Sequence, residues 1–480
     1  MRIQFCGADR TVTGSSHLVE INGLRLFLDM GLYQGPRDEA NRLNHYLPAD
    51  VKSADAVILT HGHLDHCGKL PVAVKAGFNR PIYTTPASAE VARIVLNDSA
   101  KIQEEDIAHL NQRSRGPQDP QLDPLYRQAD VASVIRLFKR VDYARKTDLG
   151  KGVSFTFFDA GHILGSAYVV LEWSEAGQPH TLLFTGDVGR YNTPILRDPV
   201  PPPPVEQVIT ESTYGNASHG PIADVEPQLL DAVRIVIANK SRLIVPAFAI
   251  GRTQTLLWYL QKLEREKQIP RIPMFVDSPM GVEASKVYAQ FADHYDEQTR
   301  LMLGDNGLFG LSHITFASSV QDSKAINRQP GPRVVIASSP TCEFGRVLHH
   351  LEQSIENPSD VVVFCGFIPP NTLGRRLQDG QKRVRIYDRY YDVRCQVRTI
   401  HGLSAHADAD ELLRFLTPAL TPQTEAYVVH GEVPQAEAFA KRLLTANVRR
   451  ATIPALETSL DAFTAPPSTS NSPPTRTDQD

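Results

Sequence analysis

The segment His61-Gly62-His63-Leu64-Asp65-His66 places four potential metal ligands within six residues, directly after the strand-like run Ile58-Leu59-Thr60. Side chains so crowded at a strand end can converge only on something small and strongly positive. Imidazole nitrogens with a carboxylate suit zinc, which accepts flexible coordination and has no redox chemistry. The cluster therefore reads as part of a zinc hydrolase. A polar loop with incidental histidines is the competing reading, and the density of ligands weighs against it. Cys67, beside the cluster, reads as packing.

Four further ligand-type residues share the same placement. Asp29 follows an apolar run at 25–28, His162 one at 155–158, Asp187 one at 182–185 and His430 one at 426–429. A lone histidine at a strand end is ordinarily a surface residue. Several such positions beside a ligand cluster mean more, because strand ends on one edge of a sheet are neighbours.

The elements that must position these residues are legible in outline. Short β-rich runs at 24–28, 56–59, 81–85, 154–158, 167–173 and 181–185 alternate with helical stretches at 87–97 and 129–138, an α/β pattern. Pro201-Pro202-Pro203-Pro204 is a stiff spacer. Strand–helix alternation beyond it, from 205–210 through 361–365, predicts a parallel-sheet domain. A last block at 393–454 returns to strand and helix, and the Ser/Thr/Pro-rich stretch 456–480 is expected to be a disordered tail.

Length and composition set bounds on this picture. A chain of 480 residues exceeds what one core supports, so two domains are expected. The hydrophobic share of 41% is that of an ordinary globular protein, and a net charge of -4 does not indicate a large basic surface for duplex nucleic acid. No apolar run long enough to span a membrane occurs, and the first residues do not resemble a secretory signal. Cys6, Cys67, Cys342, Cys365 and Cys395 are scattered without Cys-x-x-Cys spacing, which predicts reduced thiols and a cytoplasmic location. Arg375, Arg376, Lys382, Arg383, Arg385, Arg389, Arg394 and Arg398 form a basic strip opposed by Asp379, Asp388 and Asp392. With Tyr387, Tyr390 and Tyr391 it could track an RNA backbone and stack bases. It could equally be a solvated strand face.

The set His61-x-His63-x-Asp65-His66 with Asp29, His162 and Asp187 resembles, in order, the motifs of the metallo-β-lactamase superfamily. Three more features are similar to its β-CASP branch, whose members process nucleic acids. They are Glu211 in Thr210-Glu211-Ser212-Thr213-Tyr214-Gly215, His406 in Gly402-Leu403-Ser404-Ala405-His406-Ala407-Asp408, and His430 in Val428-Val429-His430-Gly431-Glu432. Pro246-Ala247-Phe248-Ala249-Ile250-Gly251-Arg252, Val276-Asp277-Ser278-Pro279 and Thr372-Leu373-Gly374-Arg375 support them. The resemblance runs from Met1 to about Pro454. It is to the stand-alone prokaryotic ribonucleases related to the nuclease subunit of the mRNA 3′-end cleavage and polyadenylation specificity factor.

That resemblance implies an α/β fold: an αββα sandwich from residues 1–209 and 393–455, with a β-CASP parallel-sheet domain inserted at 210–392. It implies two zinc ions per chain, one on His61, His63 and His162, the other on Asp65, His66 and His430, with Asp187 bridging. Asp29 would orient histidine ligands. His406, Glu211 and Asp65 would be the catalytic residues, with His406 protonating the leaving oxygen and Glu211 holding its ring and raising its pKa. Ser404, His406, Arg252 and Arg375 would contact substrate. The implied activity is hydrolysis of single-stranded RNA, endonucleolytic, 5′-exonucleolytic or both, by a hydroxide shared between two metals, in RNA processing or decay. No membrane is involved, and a homodimer is compatible with the resemblance.

Three alternatives remain in view. Members of the branch that act on DNA usually carry Val where His430 stands, so a DNA-processing nuclease is second to RNA. Thioesterases and lactonases on the same sandwich lack the inserted domain. Non-catalytic RNA-binding scaffolds have lost ligands that this chain keeps. Two departures, Pro340 in Ser338-Ser339-Pro340-Thr341 and Asn216-Ala217 after Gly215, bear on substrate affinity and not on the ligands.

Overall fold

The computed structural model describes residues 1–47, 51–113, 121–303, 307–310, 313–366, 368–369 and 371–461. Three sheets organise them. The first has the strand order Ser459–Asp461, Arg2–Gly7, Ser16–Ile21, Leu24–Leu28, Ala56–Ile58, Ile82–Thr84, Phe138–Arg140. The second runs Arg450–Thr452, Glu425–Val428, Gln207–Thr210, Gln178–Phe184, Ala167–Glu175, Val153–Asp159, Thr147–Gly150.

Period-two alternation presses these two sheets together. Ile3, Phe5, Val19 and Leu28 from one meet Phe155, Phe157, Val169 and Leu182 from the other in a single buried cluster. The opposite face of the first sheet, at Phe27, Val57 and Ile82, is covered by Leu70–Lys75, Pro86–Arg113 and Gln128–Leu137. The opposite face of the second, at Val170, Leu183 and Val208, is covered by Ala409–Leu416 and Val433–Thr445. The result is a four-layer αββα sandwich built from both ends of the chain.

The third sheet is wholly parallel, in the order Ile314–Phe316, Met274–Asp277, Arg333–Ala337, Arg242–Pro246, Val361–Cys365, Gln396–Ile400. Its inner strands read as continuous apolar runs because helices cover both faces. Leu243 and Val245 point to Val225–Asn239 and Arg252–Arg265, whereas Ile244, Val335 and Val362 point to Val347–Ser354. The first of these clusters is continuous with the helices outside the sandwich, so the two domains share a packed seam.

Two strands lie near the expected domain limits. Gln396–Ile400, just past the expected boundary at 392, pairs in parallel with Val361–Cys365 at the edge of the third sheet. Ser459–Asp461 pairs with Arg2–Gly7, so ordered structure extends past the expected tail start at 456; residues 462–480 lie outside the described residues. Among the described residues no helix is long and apolar enough to cross a membrane.

Strand direction positions the site. Leu24–Leu28 and Ala56–Ile58 run parallel, as do Gln178–Phe184, Gln207–Thr210 and Glu425–Val428, so their C-terminal ends share one edge of the sandwich. The loops at that edge are laced together: Met30 N–H donates to His66 O at 2.8 Å and Ser15 N–H to Asp65 O at 2.8 Å. Gly31 is required there, since a Cβ would lie 1.6 Å from Asp65 O. Replacing it with Ala (G31A) is expected to cost about 1–3 kcal/mol by forcing the two loops apart, read as a lower urea midpoint. An unchanged midpoint would show that the loops part freely.

Candidate metal centre

The ligand-type residues converge in two groups. In the first, His63 Nδ1 lies 3.0 Å from His61 Nε2 and 3.2 Å from His162 Nε2, and both Nε2 atoms lie 3.5 Å from Asp187 Oδ2. An ion bound at about 2.0–2.1 Å in tetrahedral geometry separates its ligand atoms by about 3.3–3.4 Å. The observed spacings bracket that value, so the donor set fits a metal ion.

Protonation agrees. Burial pulls His63 down to about 4 and holds His61 and His162 well below the ordinary histidine range. All three are therefore neutral near pH 7, with a lone pair to offer. His162 Nδ1–H donates to Ala405 O at 3.2 Å, which leaves Nε2 aimed at the cluster.

In the second group His66 Nε2 lies 3.2 Å from His430 Nε2, and Asp65 Oδ2 lies 3.6 Å from that same nitrogen. Asp187 serves both groups: Oδ2 faces the first and Oδ1 lies 3.2 Å from His66 Nε2. Burial works against the charge on Asp187, but His430, His66 and His406 outweigh it and hold the carboxylate well below its usual range. Burial likewise opposes ionisation of Asp65, yet the hydrogen bond from His430 and the charge of His66 bring it to about 2. Asp29, fully buried, accepts His66 Nδ1–H at 2.7 Å and the Thr60 backbone N–H at 2.8 Å, which fixes the orientation of the His66 ring.

Asp29 and His430 both hold left-handed backbone, with φ of 58° and 48°. Such conformations cost on the order of 1–3 kcal/mol and persist where neighbours over-determine them. Here Asp29 N–H donates to Ile58 O at 3.0 Å and His430 N–H to Ala8 O at 2.7 Å.

Beside the clusters, the buried Glu211 carboxylate lies 3.2 Å from His406 Nδ1 and accepts the Val188 N–H at 2.6 Å. Burial lowers the His406 pKa, but Glu211 and then Asp187 outweigh it and raise it to about 9. The imidazolium is therefore charged at neutral pH, and its side chain remains 21% exposed. Glu211, Asp187 and His430 also lie close enough together to share an ion.

The substrate-contact expectations divide. Ser404 sits on the His406 loop and accepts the His406 N–H at 3.2 Å. Arg252 opens the helix Arg252–Arg265 with its guanidinium near Tyr214, and the Tyr214 ring centroid is 6.2 Å from that of His406. Arg375 instead donates to both oxygens of Asp379 one turn along its own helix, at 2.9 and 3.0 Å, with no contact to the clusters among the described residues.

Some supporting residues escaped sequence reasoning. Thr213 Oγ1 lies 3.1 Å from His430 Nδ1 and orients that ring, and only its place two residues past Glu211 hinted at it. Arg190 is buried, donates to Gly402 O at 2.6 Å and pairs with Glu411 at 3.0 Å, pinning the loop that carries Ser404 and His406. No local signal marks it.

Comparison with known proteins accords with this geometry. Family models match a metallo-beta-lactamase superfamily domain at residues 18–178, a Beta-Casp domain at 253–377 and a Zn-dependent metallo-hydrolase RNA specificity domain at 390–454. Ribonuclease TTHA0252 of Thermus thermophilus is 33% identical over 445 residues, covering 92% of this chain and 96% of that protein. Transcription termination factor FttA of Methanosarcina mazei is 28% identical over 445 residues, 90% of this chain but 67% of its own length. A crystal structure of a protein of unknown function from Enterococcus faecalis matches with a TM-score of 0.54 over 96% of this chain and 99% of that one; at 12% identity it speaks to the fold alone. The chain belongs to the metallo-β-lactamase superfamily and, within it, to the β-CASP branch.

Proposed function

We propose that this protein is a zinc-dependent ribonuclease that hydrolyses phosphodiester bonds of single-stranded RNA. Asp187 carries the reading, because its two oxygens face two separate donor sets, His61, His63 and His162 on one side and His66, His430 and Asp65 on the other. Two ions held there would supply a water of lowered pKa and neutralise the negative charge of a phosphodiester. No serine or cysteine nucleophile is then required of the chain.

The chain's own residues do the remaining work. Glu211 orients His406 through Nδ1 and stabilises its cationic form. The proton on the far nitrogen is then available to the leaving oxygen. Ala405 O ties that loop to the site through His162, and Ser404 Oγ braces the loop from within by accepting the His406 N–H. The name of the Thermus relative and the RNA specificity domain favour RNA over DNA. Similarity to the archaeal termination factors favours a second reading, cleavage of nascent transcripts at termination, although a third of those chains has no counterpart here.

His63→Ala should remove zinc from the purified protein, measured by plasma mass spectrometry, and abolish cleavage of end-labelled single-stranded RNA. Undiminished cleavage would refute the enzyme reading. Asp29→Asn, which loosens His66, should lower metal affinity or activity about 10- to 100-fold, measured by zinc titration against a chelator.

His406→Ala should lower kcat by about 10²–10⁴. Its acid form is lost as pH rises through about 9, so kcat should fall along an alkaline limb near there. Glu211→Gln removes the largest influence raising that pKa, so the limb should move to lower pH. An unmoved limb would show that Glu211 does not tune His406.

A further inference from the structure

We propose that a hollow on the inserted domain, between the helix Leu373–Gln378 and the hairpin Arg383–Ile386 and Arg389–Asp392, is a second contact site for single-stranded RNA, distinct from the metal ligands. The proposal rests on the ribonuclease reading for the identity of its ligand. The hollow has a volume of about 500 Å³ and is lined by Arg376, Arg383, Arg385, Tyr387 and Tyr390 over an apolar floor. That volume lies within the range of about 300–1,000 Å³ usual for small-ligand sites, and suits one nucleotide.

The guanidinium groups are available. Arg376 lies 3.7 Å from Glu343, Arg385 3.7 Å from Asp388 and Arg383 4.0 Å from Asp392. Each separation exceeds hydrogen-bonding distance, and exposed pairs of this kind contribute little. Glu343 is further occupied by the Leu373 N–H. Turning Arg376 or Arg383 toward a phosphate therefore sacrifices little, while Arg385 would give up the bond from its Nε to Tyr387 O at 3.0 Å.

The aromatic rings are exposed as well, Tyr387 with one side against the His349 ring at a centroid distance of 5.6 Å. Tyr390 is 63% exposed and Tyr387 49% exposed, unusual values for large rings. The Arg383 guanidinium lies 5.3 Å from the Tyr390 ring centroid, which presents charge and π-face together. Tyr387 holds φ of 52° at the hairpin turn, where glycine or asparagine is the ordinary occupant. A half-exposed tyrosine kept at a strained position points to a role for its ring.

Phosphate-seeking cations interleaved with stacking rings match the alternation of charge and base along a single strand. Such binding is tolerant of sequence. An acidic peptide would use the arginines but gain little from the two rings.

The test measures binding of a fluorescent 20-nucleotide RNA to the full-length protein by anisotropy across a salt series. Tyr390→Ala should weaken binding about fivefold or more. The double variant Arg376→Ala with Arg383→Ala should flatten log affinity against log salt by about 0.7 for each phosphate no longer neutralised. Lys441→Ala, which removes a positive charge elsewhere, should leave affinity and slope unchanged, and thermal melting checks that each variant is folded. Wild-type affinity and slope in both hollow variants would overturn the proposal, even while the protein still cleaves RNA. Weakened binding of polyglutamate with unchanged binding of RNA would also overturn it, in favour of an acidic peptide. Failure of the wild-type protein to bind or cleave any RNA would instead count against the ribonuclease reading.

Discussion

A buried carboxylate between two groups of imidazoles is the constraint around which this protein is organised. Asp187 is 2% exposed, and an ionised carboxylate that deep is unfavourable by several kcal/mol unless cations face it. Its neighbours come from distant parts of the chain: His66 from the N-terminal part of the sandwich, His406 and His430 from the part after the inserted domain. The sandwich must therefore be completed by the returning chain before the charge is compensated. The strand Glu425–Val428, which leads to His430, lies directly beside Gln207–Thr210, which leads to Glu211. Sheet register thus brings Glu211 and His430 to the same edge as Asp187, which follows the neighbouring strand Gln178–Phe184.

Much of this site was legible because its signals are local or fall at predictable places. His61 to His66 is a contiguous cluster, and His162, Asp187 and His430 each stand where a strand ends. What escaped lies in single long-range contacts. Arg190 reads as an ordinary surface arginine, yet it is buried against Gly402 and Glu411. Ser459–Asp461 sits in a segment of tail-like composition, and only the free edge of Arg2–Gly7 makes it a strand. The strand Gln396–Ile400 carries no feature that announces its partner, and it pairs with Val361–Cys365 across a long stretch of chain. Arg375 is a different lesson: Asp379 stands four residues on, the spacing at which helical ion pairs form, and that pairing was readable in advance.

The two domains divide the work along physical lines. The sandwich supplies rigid strand ends, where ligands and their orienting partners are held by backbone geometry, down to the left-handed turns at Asp29 and His430. The inserted parallel sheet, packed against the sandwich through a shared apolar cluster, brings adaptable polar surface. Part of its basic strip is paired with carboxylates: Arg398 bonds Asp231 and Arg394 lies 3.5 Å from Asp392. The arginines with the loosest pairs are those around Tyr387 and Tyr390.

The central claim is that Asp187 joins two metal positions. Anomalous diffraction from zinc-loaded crystals, collected on either side of the zinc absorption edge, tests it most directly. The account predicts two peaks flanking the Asp187 carboxylate, one among His61, His63 and His162 and the other among Asp65, His66 and His430. A single peak, or a second peak away from Asp187, would contradict it.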